Sequence, residues 1–389
     1  MSKDKTGWNK YRRGPRAVKS NELKVQVQSL GNSGEGIARH DGQVVFVPFT
    51  LPGETALVQP FKRKSTYIHS TLIKLIERSD ERVTPSCAYF KQCGGCDWQH
   101  VPYAMQLDTK EGILGNVLQR IGKVDNPPVR PILPNNTPYH YRNRIQGIIK
   151  NKRFHFKKRS SNELIAIDAC AIAEPDINQF LRDSLHDSSE LPDGRVEIAV
   201  TDNGVSCYPL NDNNSTELGF RQVNSYMSEQ LSSLVHNIAE QTEYTHCLDL
   251  YCGHGNWSMA LAERQSNTQF IGIDSSADNI RQANRRAANT KLANVSFKLG
   301  RVEDLISTLP LAHSLCIVDP PRAGLDKRVS EALCLNPPQR LVYVSCHPAS
   351  LARDIAHLTE SNFSLIEVTP LDMFPQTAHV ESVSVLERR

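Results

Sequence analysis

The N-terminal part of the chain carries short stretches in which apolar and polar residues alternate. Residues 23–27, 43–47 and 55–58 combine this alternation with β-branched side chains, which is typical of strands. Turns separate these stretches, and the glycine-rich one spans residues 31–36. Because closure of short antiparallel strands removes their exposed edges, the pattern predicts a small β-barrel.

In the C-terminal part, apolar runs of strand length alternate with stretches of helical periodicity, as at 247–251, 270–274 and 314–319. This alternation predicts a Rossmann-like α/β domain with a doubly wound sheet, whose ligands bind at the carboxyl ends of the strands. Polar stretches at 183–192 and 211–215 are predicted to be exposed connections. The predicted organisation is a basic tail at 1–16, a small barrel at 17–78, a central α+β domain at 79–214 and the α/β domain at 215–389.

Composition and charge narrow the class of protein. No apolar run approaches membrane-spanning length and the N-terminus lacks a signal peptide, so we expect a cytoplasmic protein without a membrane partner. The net charge of +3 is small, but basic residues cluster at 3–16, around Trp8 and Tyr11, and again at 61–64 and 150–159. Such patches neutralise phosphates while aromatic side chains stack on bases, which favours a nucleic-acid partner. A solvated tail is the alternative for residues 3–16.

Three cysteines lie close together in the sequence, at Cys87, Cys93 and Cys96, and two glycines separate the last pair. The glycines let the backbone curl tightly, so the three thiols can converge on one metal centre. In a long cytoplasmic chain, ten cysteines indicate metal ligands, catalytic thiols or core residues in preference to disulfides. Cys170 is the best candidate for a fourth ligand. Four thiolates suit either zinc or an iron-sulfur cluster, and the spacing leaves both open.

A glycine turn follows the strand-like run at 247–251, with Gly253 and Gly255 preceding a helical pattern at 258–264. Glycines at this place let the backbone approach a ligand closely. The next strand ends at Asp274, at the distance where nucleotide-binding folds recognise a ribose diol. The pattern predicts a nucleoside cofactor. NAD is one alternative, although the third glycine of the dinucleotide fingerprint is missing.

Other chemically useful groups also lie at predicted strand ends. Cys346 follows the apolar run at 340–345, which Pro348 terminates, and Asp319 closes the run at 314–319. Glu381 comes just before an apolar strand. Taken singly, a cysteine most often packs in a core and a glutamate is a solvated charge. Their shared position at the ligand-binding edge favours a joint role.

Two parts of the chain resemble known RNA-modifying enzymes. Residues 34–38, 45–48 and 51–54 resemble the TRAM domain, a small RNA-binding barrel. The stretch from Cys87 to Lys110, with Cys170 at a matching later position, is similar to the four-iron four-sulfur (4Fe-4S) region of bacterial RNA uracil-C5 methyltransferases. The resemblance implies a central iron-sulfur domain in which the cluster has a structural and RNA-positioning role. The implied ligands are Cys87, Cys93, Cys96 and Cys170.

The run from Asp249 to Gly255 resembles motif I of class I methyltransferases that depend on S-adenosylmethionine (SAM). Together with residues 220–224, 319–324, 345–348 and Glu381, it makes the chain similar to the RNA uracil-C5 methyltransferases of tRNA and ribosomal RNA. The resemblance implies SAM as cofactor, with Asp274 on the ribose hydroxyls. Further contacts to the cofactor are implied for Gln222, Tyr251, Asn256 and Asp319.

Three residues qualify this resemblance. Arg322 stands where amino-group methyltransferases, which share the acid-Pro-Pro strand end, usually carry an aromatic residue, and this argues against adenine N6 chemistry. Asp274 replaces a glutamate that is common at the ribose position, which shortens the reach but keeps the charge. Arg301 stands where relatives often carry a small polar residue, so we do not assign it to the site.

The implied chemistry centres on Cys346 and Glu381. Uracil C5 is too weak a nucleophile to take a methyl group unaided, but addition of the Cys346 thiolate to C6 makes the ring an enolate whose C5 attacks the methyl group. Glu381 then removes the C5 proton so that the thiolate is eliminated. We expect a nearby cation or helix terminus to lower the thiol pKa, and the sequence does not identify it.

The expected partner is RNA, whose target base must be flipped out of its stack. The attached barrel favours 23S rRNA, with tRNA as the runner-up, and we expect a monomer. Residues 139–144 combine tyrosines and arginines that either hold the extruded nucleotide or belong to an ordinary strand. The alternatives to uracil methylation are cytosine-C5 methylation and a noncatalytic RNA-binding iron-sulfur protein.

Overall fold

The computed structural model describes residues 22–187, 193–210 and 222–389. None of the helices within these ranges has the length and apolar character that a membrane crossing requires. The basic tail at 1–16 and the polar connection at 211–215 lie outside the described residues, as does the boundary predicted between residues 214 and 215. The chain divides into two compact units.

The first unit comprises the described chain up to Pro85 together with residues 97–102. Its strands are β1 (Leu23–Leu30), β2 (Gly36–His40), β3 (Gln43–Val47), β4 (Thr55–Arg63) and β5 (Tyr67–Glu77). They close into a barrel in the order β1-β2-β3-β5-β4, in which β3 and β5 run parallel and the other neighbours antiparallel. Alternate side chains of β1 point into the barrel core, where Val25 packs with Val45 and Ile68. The predicted small N-terminal barrel is confirmed.

The second unit comprises residues 86–96 and 103–389 and contains two sheets. The smaller sheet has the strand order β10-β9-β6-β7-β8, and its apolar face packs against Ile177 and Leu181 of helix α2. Helix α1 precedes it in the chain. These elements are α1 (Tyr103–Arg120), β6 (Arg144–Lys150), β7 (Arg153–Lys157), β8 (Leu164–Ala166), α2 (Pro175–Asp187), β9 (Gly194–Thr201) and β10 (Gly204–Pro209).

The larger sheet has the strand order β13-β12-β11-β14-β15-β17-β16. Strands β11 to β15 are parallel, and β17 lies antiparallel between β15 and β16. Its strands are β11 (His246–Leu250), β12 (Gln269–Asp274), β13 (Val295–Leu299), β14 (Ser314–Val318), β15 (Arg340–Ser345), β16 (Phe363–Leu371) and β17 (Glu381–Arg388). The helices are α3 (Ser225–Glu240), α4 (Asn256–Arg264), α5 (Ala277–Thr290), α6 (Val302–Leu305), α7 (Lys327–Leu335) and α8 (Pro348–Glu360), with a short 3-10 helix at Ile306–Thr308.

The central strands of this sheet are largely apolar because helices cover both faces. Every residue of β14 is buried, for example. The strand order reverses between β11 and β14, which lie side by side although β12 and β13 separate them in sequence. A crevice opens at such a reversal, outside the carboxyl ends of the strands. The predicted doubly wound sheet is thus present.

The iron-sulfur domain expected within residues 79–214 is not supported. Across the described ranges, no group of three or more His, Cys, Asp or Glu side chains is arranged to hold a metal ion. The prediction of a central iron-sulfur domain is therefore wrong. The four cysteines that the structure does not gather into a ligand group are Cys87, Cys93, Cys96 and Cys170.

Local packing gives the physical reason for this difference. The spacing of cysteines limits their separation along the chain, but it does not by itself bring the thiols together. The Cys170 backbone is held on both sides by Asn178, whose Oδ1 accepts from the Cys170 N–H at 2.7 Å and whose Nδ2 donates to the Cys170 carbonyl at 3.0 Å. Cys170 packs against the apolar core of the smaller sheet. The central α+β region is therefore organised by that core.

Candidate active site

The turn after β11 has an unusual backbone. Tyr251, Gly253 and Gly255 all have positive φ, at 65°, 56° and 77°, and α4 begins immediately afterwards at Asn256. Positive φ is easy for glycine and costs a tyrosine free energy. A Cβ on Gly255 would lie 2.4 Å from the Phe297 ring, so glycine is also required there by packing. The turn brings the backbone close to whatever occupies the crevice.

Asp274 lies at the end of β12, beside this turn. Its Oδ2 accepts a hydrogen bond from the Gly253 N–H at 3.0 Å, and its Oδ1 accepts from the Ser276 N–H at 2.8 Å and from Asn279 Nδ2 at 3.2 Å. These bonds fix the carboxylate at the edge of the crevice. An acceptor in this position suits a diol that donates two hydrogen bonds.

A cleft of about 1120 Å³ occupies the crevice. Gln222, Tyr251, Asn256 and Asp319 line it, so the structure brings these predicted cofactor residues together. Asp274 is not among the lining residues, but it contacts Gly253, which is. The cleft therefore joins the turn after β11 to Asp319 at the end of β14.

Sequence reasoning missed several residues of this cleft. Trp257 and Arg286 line it as well, and Arg286 Nη1 donates to the Asn256 Oδ1 at 2.9 Å. Asp249 lies behind it, fully buried, with a short hydrogen bond from Ser258 Oγ that ties β11 to α4. Burial raises the pKa of Asp249 to about 6. For Asp249, the sequence did offer a signal, because an acidic residue stands inside an apolar strand. No comparable sequence pattern marked Arg286 on α5 as a residue of the cleft.

Cys346 and Glu381 meet at the end of the larger sheet. In the antiparallel pairing of β15 and β17, Ser345 faces Ser382, and the same register places Cys346 opposite Glu381. Cys346 follows β15 as expected, while Glu381 is the first residue of β17 and not the residue before it. The Cys346 side chain is half-buried and Glu381 is 3% exposed. Strand topology, which local patterns do not reveal, thus joins two groups that are distant in sequence.

The electrostatic environment of this pair is shared with Asp319 and Arg322. Burial raises the pKa of the Cys346 thiol, the charges of Glu381 and Asp319 raise it further, and the Arg322 guanidinium lowers it. Burial likewise raises the pKa of Glu381 well above its ordinary range, with Asp319 adding to the shift and Arg322 opposing it. For Asp319, burial and the charge of Asp249 raise the pKa to about 7. Arg322 is thus a cation that favours the ionised forms of both groups.

Asp319 links the two parts of the site, because it lines the cleft and also interacts with Cys346 and Glu381. Asp319 is thus the cleft residue whose charge acts on the thiol and on Glu381. The arrangement combines a half-buried thiol, a buried carboxylate with a raised pKa and a cleft that Asp319 lines. A thiol beside a carboxylate is an arrangement that covalent catalysis with a general base can use.

The stretch at 139–144 is largely structural. Tyr141 is buried and its Oη donates to the Pro375 carbonyl at 3.0 Å, while Arg144 begins β6 and pairs with Glu197 at 2.9 Å. Asn143 Nδ2 donates to the Gln222 carbonyl at 3.1 Å and so positions a residue of the cleft. The exposed charges of this region lie instead on the hairpin of β6 and β7, at 150–153 and Lys157.

The barrel carries a separate aromatic cluster on its surface, formed by Phe46, Phe61, Tyr67 and His69. The centroid of the His69 ring lies 5.0 Å from that of Phe46, 5.3 Å from that of Tyr67 and 6.1 Å from that of Phe61. Phe61 is 52% exposed, and the exposed cationic side chains at 62–64 follow it directly. Aromatic faces beside cations are the elements that bind single-stranded nucleic acid.

Two protein-family models match the chain. The model described as tRNA (Uracil-5-)-methyltransferase matches residues 208–389, and the TRAM domain model matches residues 19–73. The first covers the larger sheet with its cleft and thiol, and the second covers most of the barrel. The resemblance inferred from the motifs is confirmed in both regions.

Curated relatives match over nearly the full length of the chain. The 23S rRNA (uracil(1939)-C(5))-methyltransferase of Aliivibrio fischeri is 30% identical over an alignment that covers 96% of this chain and 98% of the relative. An uncharacterized RNA methyltransferase of Thermosynechococcus vestitus is 29% identical, with 94% of this chain and 97% of the relative covered. The similarity therefore extends through the barrel, the smaller sheet and the larger sheet.

Among solved structures, the tRNA (uracil-54, C5)-methyltransferase of Pyrococcus abyssi in complex with S-adenosyl-L-homocysteine matches with a TM-score of 0.73. It is 23% identical in sequence, and the match covers 94% of this chain and 99% of that chain. This likeness shows that the two proteins share a fold.

Proposed function

This chain belongs to the RNA uracil-C5 methyltransferase family, and we propose that its target is a uridine of 23S rRNA. As a member it is a SAM-dependent enzyme that methylates C5 of uracil in RNA. The observation that carries the choice of RNA is the 30% identity to a relative named for 23S rRNA methylation, over 98% of that relative. The runner-up is tRNA, because the Pyrococcus abyssi enzyme that shares the fold is named for tRNA.

The cleft residues are proposed to hold the cofactor. Asp274 binds the ribose hydroxyls through its carboxylate, beside the turn that carries Tyr251. Gln222 and Asn256 contact the cofactor from the cleft lining, and so does Asp319, whose charge also acts on Cys346. SAM held by these residues would supply an electrophilic methyl group. The support for this assignment is that Gln222, Tyr251, Asn256 and Asp319 line one cleft.

Cys346 is proposed to be the nucleophile. Its thiolate adds to C6 of the flipped uracil, and the electron pair of the C5–C6 double bond moves into an enolate, so that C5 becomes nucleophilic enough to be methylated. The thiolate must form in a half-buried place where its pKa is raised. Arg322 favours the thiolate, and it is the cation that the sequence left unidentified.

Glu381 is proposed to be the base that completes the reaction. Its carboxylate takes the C5 proton, the C5–H pair re-forms the C5–C6 double bond, and the C6–S bond breaks to release the Cys346 thiolate. Burial raises the pKa of Glu381 well above its ordinary range, and a carboxylate with a raised pKa is a stronger base than an exposed one. The register of β15 and β17 supports this role because it places the two side chains opposite each other.

The choice of RNA is tested with unmodified transcripts. Purified protein is incubated with methyl-labelled SAM and either a 23S rRNA fragment or a tRNA transcript, and the RNA is digested to nucleosides. We expect labelled 5-methyluridine from the 23S rRNA fragment and none from tRNA. Label in tRNA alone would transfer the assignment to the runner-up. Labelled 5-methylcytidine would overturn uracil as the target base, and RNA binding without label would indicate a noncatalytic protein.

A further inference from the structure

Residues 372–380 form the loop that joins β16 to β17. Leu371 and Glu381 are the last pair of the antiparallel ladder, so the loop closes on the residue proposed as the base. Within the loop, Phe374 is half-buried and His379 is exposed, and all the other residues are buried. The path of this loop therefore sets where the Glu381 carboxylate lies relative to Cys346.

Side chains from outside the loop bind its backbone carbonyls in succession. Asn224 Nδ2 donates to the Met373 carbonyl at 3.1 Å, Lys110 Nζ donates to the Phe374 carbonyl at 2.9 Å, and Tyr141 Oη donates to the Pro375 carbonyl at 3.0 Å. Buried carbonyls need such partners, and the partners here come from elements distant in the sequence. The loop is therefore held from several directions.

Helix α1 supplies further contacts through one face. Tyr103, Gln106 and Lys110 follow one another at spacings of three and four residues, which places them on the same side of the helix. Lys110 forms an ion pair with Asp372, and both side chains are fully buried. Tyr103 Oη donates to the other oxygen of the same carboxylate at 2.8 Å. A buried ion pair with this many hydrogen bonds defines the start of the loop.

Gln106 defines the middle of the loop. Its Nε2 donates to Gln376 Oε1 at 3.1 Å, and its Oε1 accepts from the Gln376 backbone N–H at 2.9 Å. Gln376 has a φ of 67°, in the left-handed region, which costs a residue with a Cβ about 1–2 kcal/mol. Such a backbone persists only where its surroundings hold it in place. The paired hydrogen bonds to Gln106 provide that restraint.

We propose that Tyr103, Gln106 and Lys110 are positioning residues that hold the loop, and through it Glu381, in place for proton abstraction from C5. This rests on the proposed function, in which Glu381 is the base. Addition of the Cys346 thiolate and transfer of the methyl group do not use Glu381. The later step breaks the C5–H bond and the C6–S bond together with proton transfer to Glu381. A displaced loop therefore slows elimination and leaves the formation of the methylated adduct unchanged.

The test uses Gln106→Met, which removes both hydrogen bonds to Gln376 and keeps a long side chain in the buried site. Lys110→Met is a second variant, but it leaves the buried Asp372 without its cation and endangers folding. Lys123→Met is the matched control, because Lys123 follows α1 and forms an exposed ion pair with Glu360 at 2.9 Å. Each full-length protein reacts with methyl-labelled SAM and uracil-containing RNA in a single turnover, and a denaturing gel separates the covalent adduct from free methylated RNA.

For Gln106→Met we expect elimination to slow about 10- to 100-fold with the rate of adduct formation unchanged, so that labelled adduct accumulates. Lys123→Met is expected to behave as the wild type does. If Gln106→Met lowers adduct formation and elimination by the same factor, or lowers only the active fraction, the residue has a structural role alone and the inference is overturned. A wild-type protein that forms no 5-methyluridine contradicts the proposed function itself, and the inference falls with it.

Discussion

Charged and ionisable side chains meet where β14 and β15 end and β17 begins, and their mutual influence accounts for the reactivity expected of the site. Burial alone would keep Cys346 and Glu381 protonated, since it raises the pKa of both groups. Asp319 adds to this effect, whereas Arg322 opposes it. Both groups act in their deprotonated forms in the proposed mechanism. The charges of Asp319 and Arg322 therefore set the pH range in which the enzyme works.

Substitution of these two residues is expected to move the pH profile in opposite directions. Arg322→Gln removes the cation and raises the pKa of Cys346 and Glu381. The pH at which the reaction rate begins to rise is therefore expected to increase by about one unit. Asp319→Asn removes an anion, lowers both pKa values and shifts the rise to lower pH. The measurement is the single-turnover rate as a function of pH at saturating SAM. Arg328→Gln, which alters an arginine bound to Asp304 on the surface, serves as the control. Shifts of the same sign in both variants would contradict this electrostatic account.

At the scale of single elements, the strand, turn and helix at 246–264 show how the chain prepares the cofactor cleft. The strand is held to the helix by Asp249 and Ser258, and the turn between them uses left-handed backbone at three positions. Gly253 and Gly255 both need that conformation, but their surroundings differ. A Cβ on Gly253 meets nothing within 4 Å, whereas a Cβ on Gly255 would overlap the Phe297 ring.

The glycine pair offers a matched comparison. Both Gly253→Ala and Gly255→Ala place alanine in a left-handed conformation, which costs about 1–2 kcal/mol in each. Gly255→Ala also forces Phe297 to move, and we expect it to be less stable than Gly253→Ala by a further 1–3 kcal/mol or so. Urea denaturation measures this difference, and titration with S-adenosyl-L-homocysteine is expected to show weaker binding by Gly255→Ala. Equal stability of the two variants would mean that the packing at Phe297 is not restrictive.

The sequence predicted these elements well because their signals are local. The apolar runs ending at Asp274, Asp319 and Cys346 are strands, and their carboxyl ends share one edge. Contacts between residues that are distant in the sequence could not be predicted from these local patterns. Nothing local shows that β17 inserts between β15 and β16, which is what brings Glu381 to Cys346. Nor does any local pattern show that the charge of Arg322 acts on both groups.

The iron-sulfur prediction failed for the same reason. The close spacing from Cys87 to Cys96 and the later Cys170 were taken to imply convergence, but Asn178 and the core of the smaller sheet determine where Cys170 lies. In the described part of the chain, the cysteines do not form a group that could hold a metal ion. Spacing constrained the sequence positions and left the directions of the thiols undetermined.

At the scale of the whole molecule, the chain combines a barrel with a larger unit that contains the catalytic residues. The barrel matches the TRAM domain model, and its aromatic cluster adjoins the cations at 62–64. None of these three cations takes part in an ion pair among the described residues. A surface of this kind contributes to RNA affinity through stacking and through phosphate contacts, which respond differently to salt.

Substitutions on the barrel are expected to separate these two contributions. Phe61→Ala should weaken RNA binding by about 1–3 kcal/mol without changing the salt dependence, because it removes a stacking surface. Lys62→Gln should instead reduce the slope of log affinity against log salt by about one. Ile73→Ala is the control, since Ile73 is an exposed apolar residue on the same barrel at 45% exposure. Filter binding at several salt concentrations makes the measurement. Unchanged affinity in Phe61→Ala would exclude the cluster from the RNA-binding surface.

In the proposed mechanism, Cys346 forms a covalent bond to C6 of uracil, and proton removal by Glu381 later allows that bond to break. The most direct test of this mechanism is to incubate Glu381→Gln with SAM and uracil-containing RNA and to analyse the mixture on a denaturing gel. The account predicts a protein–RNA band that carries the methyl label, because the amide cannot remove the C5 proton and the thiolate cannot leave. It predicts neither this band nor 5-methyluridine for Cys346→Ala. Formation of 5-methyluridine by Cys346→Ala, or wild-type turnover by Glu381→Gln, would contradict the account.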